Sequence, residues 1–119
     1  MSESIVQRKL AKLIQQELGE LLRLEFPLQN GAFSTIRMVR VSGDLGLAKI
    51  YVTVLPDSKL AEVAEAYNEH AWQIRKSLAA RIRNKVRKIP EVRFFGDDSY
   101  QVAERIDEIL EDVEIPEEE

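Results

Sequence analysis

The stretch SGDLGLAKIYVTVL, Ser42 to Leu55, decides the fold. Its second half alternates, with Ala48, Ile50, Val52 and Val54 on one side and Lys49, Tyr51 and Thr53 on the other. A two-residue period of this kind marks a strand with one buried face. Just upstream, Ser34 to Ser42 mixes Ile36, Met38, Val39 and Val41 with Arg37 and Arg40, a second half-buried strand. Gly43-Asp44 between them is turn chemistry, so the pair predicts an antiparallel hairpin.

Upstream of the hairpin, Ser4 to Leu24 places Ile5, Leu10, Leu13, Ile14, Leu18, Leu21 and Leu22 at helical spacing. Ser2 or Ser4 supplies the cap. Gly19 interrupts the pattern at a cost of about 1 kcal/mol against alanine. Pro27, Asn30 and Gly31 mark a loop. Downstream, Pro56-Asp57-Ser58 stops the strand and opens a helical pattern from Lys59 to Arg87 that contains no Gly or Pro. So long a helix does not suit so small a domain, and a break is expected between Glu69 and Trp72. Ala71, Ile74, Leu78, Ile82 and Val86 form the apolar stripe of its second half, and Pro90 ends it. Val92, Phe94 and Phe95 read as a third strand. Gly96-Asp97-Asp98-Ser99 reads as a turn and cap before a final short helix bearing Tyr100, Val102, Ile106, Ile109 and Leu110. The order α-β-β-α-(α)-β-α predicts an α+β domain, a three-stranded sheet packed against helices. Residues 1–112 form this single domain and 113–119 an acidic tail.

The chain has 119 residues, 45% of them hydrophobic and 32% charged, the balance of one globular domain. It has no cysteine, which excludes disulfides and thiolate metal sites. No apolar run approaches the roughly 20 residues that span a bilayer, and Met1 to Leu10 lacks the apolar stretch of a secretory signal. The expected address is cytoplasmic, with no membrane partner. The net charge of −4 conceals two opposed fields. Arg75 to Arg93 holds eight basic residues and one acid, a net +7, whereas Asp97 to Glu119 holds eleven acids and one base, a net −10.

The basic segment is the strongest chemical signal. In the register that buries Ile74, Leu78 and Ile82, the cations Lys76, Arg83 and Arg87 share the opposite face, with Arg81 and Lys88 beside them and Arg75 and Lys85 in the same run. Such a stripe neutralises phosphates and releases counterions. Arg37, Arg40 and Lys49 on the hairpin extend the candidate RNA surface. Arg8, Lys9 and Lys12 have acidic neighbours in the next turns and read as ordinary surface charge. The plainer reading of the stripe is a solvated helix face balanced by the acidic tail, and a rival is a module that docks an acidic protein. Tyr51 and Trp72 are able to stack on bases, although packing in the core or at its edge is the simpler role for both. Catalysis has little to stand on. His70 is the single histidine, without a partner in the sequence pattern, and Asp97-Asp98 is better explained as helix capping than as an acid/base pair. No cofactor or metal set is evident.

Two segments together carry a resemblance. SGDLGLAKIYVTV, Ser42 to Val54, resembles the hairpin signature of the ribosome-binding factor A family, a Ser/Thr-x-Asp-Leu turn leading into an A-K-V-Y-V-type strand. IRKSLAARIRNKVRKIPEVRFFGDDS, Ile74 to Ser99, resembles its second signature, and Arg105 to Leu110 also fits. The resemblance implies a type II KH-like domain that binds the immature 30S subunit and its 16S rRNA. It also implies help in late maturation, 5′-end processing included, with particular importance in the cold. No catalysis, cofactor or small-molecule substrate is implied, and the expected state is a monomer. Gly43-Asp44-Leu45-Gly46 matches the G-x-x-G loop of KH domains, but it joins two strands rather than two helices and reads as hairpin chemistry. The family carries an Ala-x-Gly kink between its central helices. This chain has His70-Ala71-Trp72 there, and its basic helix reads as slightly longer before Pro90.

Overall fold

Ser4 is the residue that starts the first helix. Its Oγ accepts from the Gln7 backbone N–H at 3.1 Å, and the Gln7 side chain accepts from the Ser4 N–H at 2.9 Å. This reciprocal cap satisfies donors that a helix start leaves open. α1 (Ile5–Glu25) follows. The computed structural model describes residues 3–97; the predicted final helix and the tail 113–119 lie outside them. After α1 come β1 (Phe33–Val41), β2 (Leu47–Leu55), a 3-10 turn at Asp57–Lys59, α2 (Leu60–Glu69), α3 (Ala71–Ile82) and β3 (Glu91–Gly96).

β1 and β2 are the predicted antiparallel hairpin, and β3 pairs with β2 in parallel, giving the order β1-β2-β3. The alternation in β2 holds. Ala48, Ile50 and Val52 are fully buried and Val54 nearly so. They join Ile14, Leu18 and Leu21 of α1, Val63 and Tyr67 of α2, and Ile74, Leu78 and Ile82 of α3 in one core. All three helices therefore lie on one face of the sheet. β1 departs from simple alternation. Ile36 pairs with Val52, but Met38 pairs with Tyr51, leaving Arg37 as a bulge. The extra residue turns Val39 and Val41 inward beside Ile36 and sends Met38 outward.

Side-chain amides tie the helices to the sheet. Asn68 of α2 donates to the Phe94 carbonyl at 2.9 Å and accepts from the Phe94 N–H at 2.7 Å, acting on β3 as a strand partner would. Gln7 and Gln15 of α1 donate to the Val41 and Ile36 carbonyls of β1. Side chains thus engage some of the backbone groups of both outer strands.

Three places differ from, or sharpen, the sequence reading. First, the break in the long helix falls at His70. Second, α3 ends at Ile82, not Arg87. The Ile82 carbonyl accepts from both Lys85 and Val86, a tightened last turn, and Arg83 to Lys88 lead back toward β3 outside any helix. The two elements this segment joins are of similar length. Twelve helical residues rise about 18 Å, and the six residues of β3 span about 20 Å. Third, the G-x-x-G is the hairpin turn, as its sequence context indicates. Ser42 Oγ accepts from the Gly46 and Leu47 N–H groups and donates to Asp44 Oδ1 at 2.7 Å. Leu45 closes the turn at φ 61°.

Gly19 and Gly96 have opposite physical meanings. A Cβ on Gly19 would meet open space, whereas one on Gly96 would sit 2.8 Å from Leu60 Cγ, where β3 passes under the start of α2. Gly19→Ala should therefore raise stability by about 0.5–1 kcal/mol through helix propensity, and Gly96→Ala should lower it by about 1–3 kcal/mol through overpacking. Denaturant melts check both; equal effects of one sign would contradict this packing.

The hairpin makes a pH prediction. The Ser42 hydroxyl, then the Gly46 N–H, hold the Asp44 carboxyl below its ordinary 3.8. A depressed carboxylate stabilises the fold fully above the unfolded value, and that contribution is lost as pH falls through the lowered folded value. Asp44→Asn should flatten the acid side of the stability profile below about pH 3.8 and leave the shape near neutrality unchanged. Thermal melts across pH 3 to 7 measure it, and parallel profiles would contradict it.

Candidate nucleic-acid interface

The parallel pairing of β3 with β2 requires a long crossover, and that crossover carries the basic residues. His70 is its joint. It ends α2 and begins α3 at φ −105° and ψ 18°. Its N–H reaches the Ala66 and Tyr67 carbonyls, its own carbonyl accepts from Ile74, and its Nδ1 lies 3.0 Å from the Ala66 carbonyl oxygen. The ring stands 6.4 Å from that of Phe26. These contacts occupy the histidine as a hinge pin between two helices. Among the described residues no group of His, Asp and Glu is placed to hold a metal ion.

The cations read from the sequence fall into distinct settings. Lys76, Arg83, Lys85 and Arg87 are exposed. Lys76 and Arg83 point away from the sheet along the outer face of α3, and Lys85 and Arg87 stand on the loop that follows. None of these four forms an ion pair among the described residues. Arg75 is turned to structural use: its guanidinium donates to the Ile89 carbonyl at 2.8 Å and the Pro90 carbonyl at 3.2 Å, fastening the loop along α3. Lys88 reaches the Asp44 carbonyl at 3.3 Å, joining the loop to the hairpin turn. Arg81 faces α1, where it bonds Glu17 at 2.9 Å and Glu20 at 3.2 Å. The hydrogen bonds to Glu20 and Glu17 hold its pKa above the ordinary value.

The hairpin cations lie on the other side of the molecule. Arg40 is registered against Lys49, and Lys49 against Arg93, so three exposed cations cross the helix-free face of the sheet in one row. The next outward row is Met38, Tyr51 and Phe95, in which the Tyr51 and Phe95 rings stack with centroids 5.5 Å apart. The sheet separates this row from α3, so Arg40 and Lys49 do not continue the α3 stripe. Arg37, on the bulge, lies 3.4 Å from Asp97. Arg93 counts in the basic run of the sequence but is not among the cations assigned there to a surface. Its signal was present in the alternation of Val92 and Phe94 inward with Arg93 and Phe95 outward, but its place beside Lys49 depends on the parallel register.

An antiparallel hairpin, a helical crossover with a break, and a parallel third strand define a small KH-like α+β module, here with one basic crossover and one basic sheet face. Comparison with known proteins gives the particular family. A sequence profile of ribosome-binding factor A matches residues 6–110. The ribosome-binding factor A of Chlorobium phaeobacteroides (strain DSM 266) is 42% identical over 111 residues, covering 92% of this chain and 95% of that one. The chain belongs to the ribosome-binding factor A family. Among solved structures, a putative ribosome binding factor A from Thermotoga maritima superposes with a TM-score of 0.62 at 28% identity, covering 80% of this chain and 90% of its own. A homology model of the Thermus thermophilus ribosome binding factor A, fitted into a cryo-EM map of a 30S complex, gives 0.61 at 20% identity over 82% of this chain and 97% of its own, a likeness of fold. No helix among the described residues is long and apolar enough to cross a membrane.

Arg81 provides a contrast with the exposed cations. Arg81→Gln leaves Glu17 and Glu20, neighbours one turn apart on α1, without the cation they share, so the melting temperature should fall by a few degrees while any RNA affinity stays near wild type. A large loss of RNA binding at unchanged stability would place Arg81 in the interface instead.

Proposed function

We propose that this chain binds the immature 30S subunit through its 16S rRNA and assists late maturation, including processing of the rRNA 5′ end, in the cytoplasm and without catalysis of its own. The observation that carries the reading is the crossover of a ribosome-binding factor A family member, with Lys76, Arg83, Lys85 and Arg87 exposed and unmatched by acids among the described residues. The Thermus relative placed in a 30S complex supports the partner. The work is done by binding energy: a protein that prefers one rRNA conformation shifts the population toward it. The cations act on phosphates, so affinity carries little base specificity and depends steeply on salt.

The triple substitution Lys76→Glu, Arg83→Glu and Arg87→Glu tests this on exposed positions that do not support the core. Filter binding to 16S rRNA transcribed in vitro should weaken by at least about tenfold, and the slope of log affinity against log salt should fall by roughly 2. An unchanged affinity and slope would contradict the proposal. So would ribonuclease-resistant capture of an acidic protein through the same residues, which is the signature of the protein-docking alternative.

A further inference from the structure

Trp72 is the single tryptophan of the chain, and at 68% relative exposure it is the most exposed large hydrophobic side chain among the described residues. Neither core nor edge packing accounts for it. It stands at the second position of α3, directly after the His70 joint. A helical period of 3.6 places Trp72, Lys76, Ala79 and Arg83 on one strip, opposite the buried Ile74, Leu78 and Ile82. The Lys76 ammonium lies 5.5 Å from the indole centroid. Beside the ring a cleft of about 340 Å³ is lined by Trp72, Arg75, Lys76, Ala79 and Ile89. Its far wall is stiff, because Arg75 is bonded to the Ile89 and Pro90 carbonyls. No acid occurs anywhere from Ala71 to Pro90.

We infer that Trp72 is a stacking platform for an unpaired base of the rRNA, with Lys76 and Arg83 holding the neighbouring phosphates along the same strip. The inference rests on the rRNA-binding reading above and adds to it a base contact that the cations alone do not provide. An exposed aromatic ring set in a run of cations is the arrangement that single-stranded nucleic acid requires: the ring takes the π-face of any base and the cations track the backbone. The charge pattern opposes a second copy of this chain as the occupant. A two-fold contact through Trp72 would bring Lys76 and Arg83 against the same strip of the partner, cation facing cation.

Because the chain has one tryptophan, its fluorescence reports on this position alone. Wild-type protein is titrated with 16S rRNA transcribed in vitro, and binding is followed in the same samples by filter retention. Stacking should lower the emission at least about twofold as the complex forms. Trp72→Ala should weaken binding by about 5- to 150-fold, and Trp72→Phe should stay within about fivefold of wild type. Retention of rRNA with unchanged emission overturns the stacking contact and leaves rRNA binding standing. No retention at all overturns both. Quenching by whole small subunits but not by protein-free rRNA assigns the indole to a protein surface and likewise overturns the inference. The wild-type quench needs no variant, so it decides the matter even if Trp72→Ala alters the fold.

Discussion

Parallel pairing of β3 with β2 is the constraint on which the rest of this molecule depends. A hairpin needs only a turn, but a parallel neighbour obliges the chain to travel the length of the sheet and return on one side. Here the return is made by α2 and α3, whose apolar stripes cover the fully buried Ala48, Ile50 and Val52 of the central strand. The stripe turned to the core fixes the opposite one: once Ile74, Leu78 and Ile82 face the sheet, Lys76 and Arg83 must face outward. The candidate interface is thus a by-product of the crossover that the topology demands. The break at His70 lets two helices of different direction share the one core.

Much of this was legible in the residues. The strict alternation of β2, the Gly/Asp turn and the uninterrupted apolar stripes define the strands and helices, because each rests on a local period that burial enforces. The end of α3 was not legible. No Gly or Pro from Arg83 to Lys88 stops a helix locally, and the tightened turn onto the Ile82 carbonyl leaves no periodic trace. The bulge at Arg37 was equally silent, since it depends on the register with Val52 and Tyr51. The edge bonds made by Gln7, Gln15 and Asn68 are long-range and leave no periodic trace.

The candidate site was legible as a charge and not as a surface. The run from Arg75 to Arg93 announces a basic segment, but it does not separate a cation that points to solvent from one spent inside the protein. Arg75 bonds carbonyls, Arg81 bonds Glu17 and Glu20, and Lys88 reaches the hairpin. Their partners lie far off in sequence or on the backbone, where no pattern records them. Trp72 shows the same limit from the other side. An indole in an amphipathic helix suggests packing, and only the position of the helix on the sheet reveals that it is exposed. Family membership, by contrast, was readable from two short segments because they describe structural necessities: a tight turn entering the central strand, and a crossover returning to a third.

The central claim is that the chain acts by holding the small subunit through an electrostatic grip on its rRNA. Sedimentation of the wild-type chain with cell extract through a sucrose gradient tests it most directly. The account predicts that the protein travels with free small subunits at low salt, is absent from intact ribosomes, and moves to the top of the gradient as salt is raised. A protein that stays at the top at every salt concentration, or that sediments equally with intact ribosomes, would contradict it.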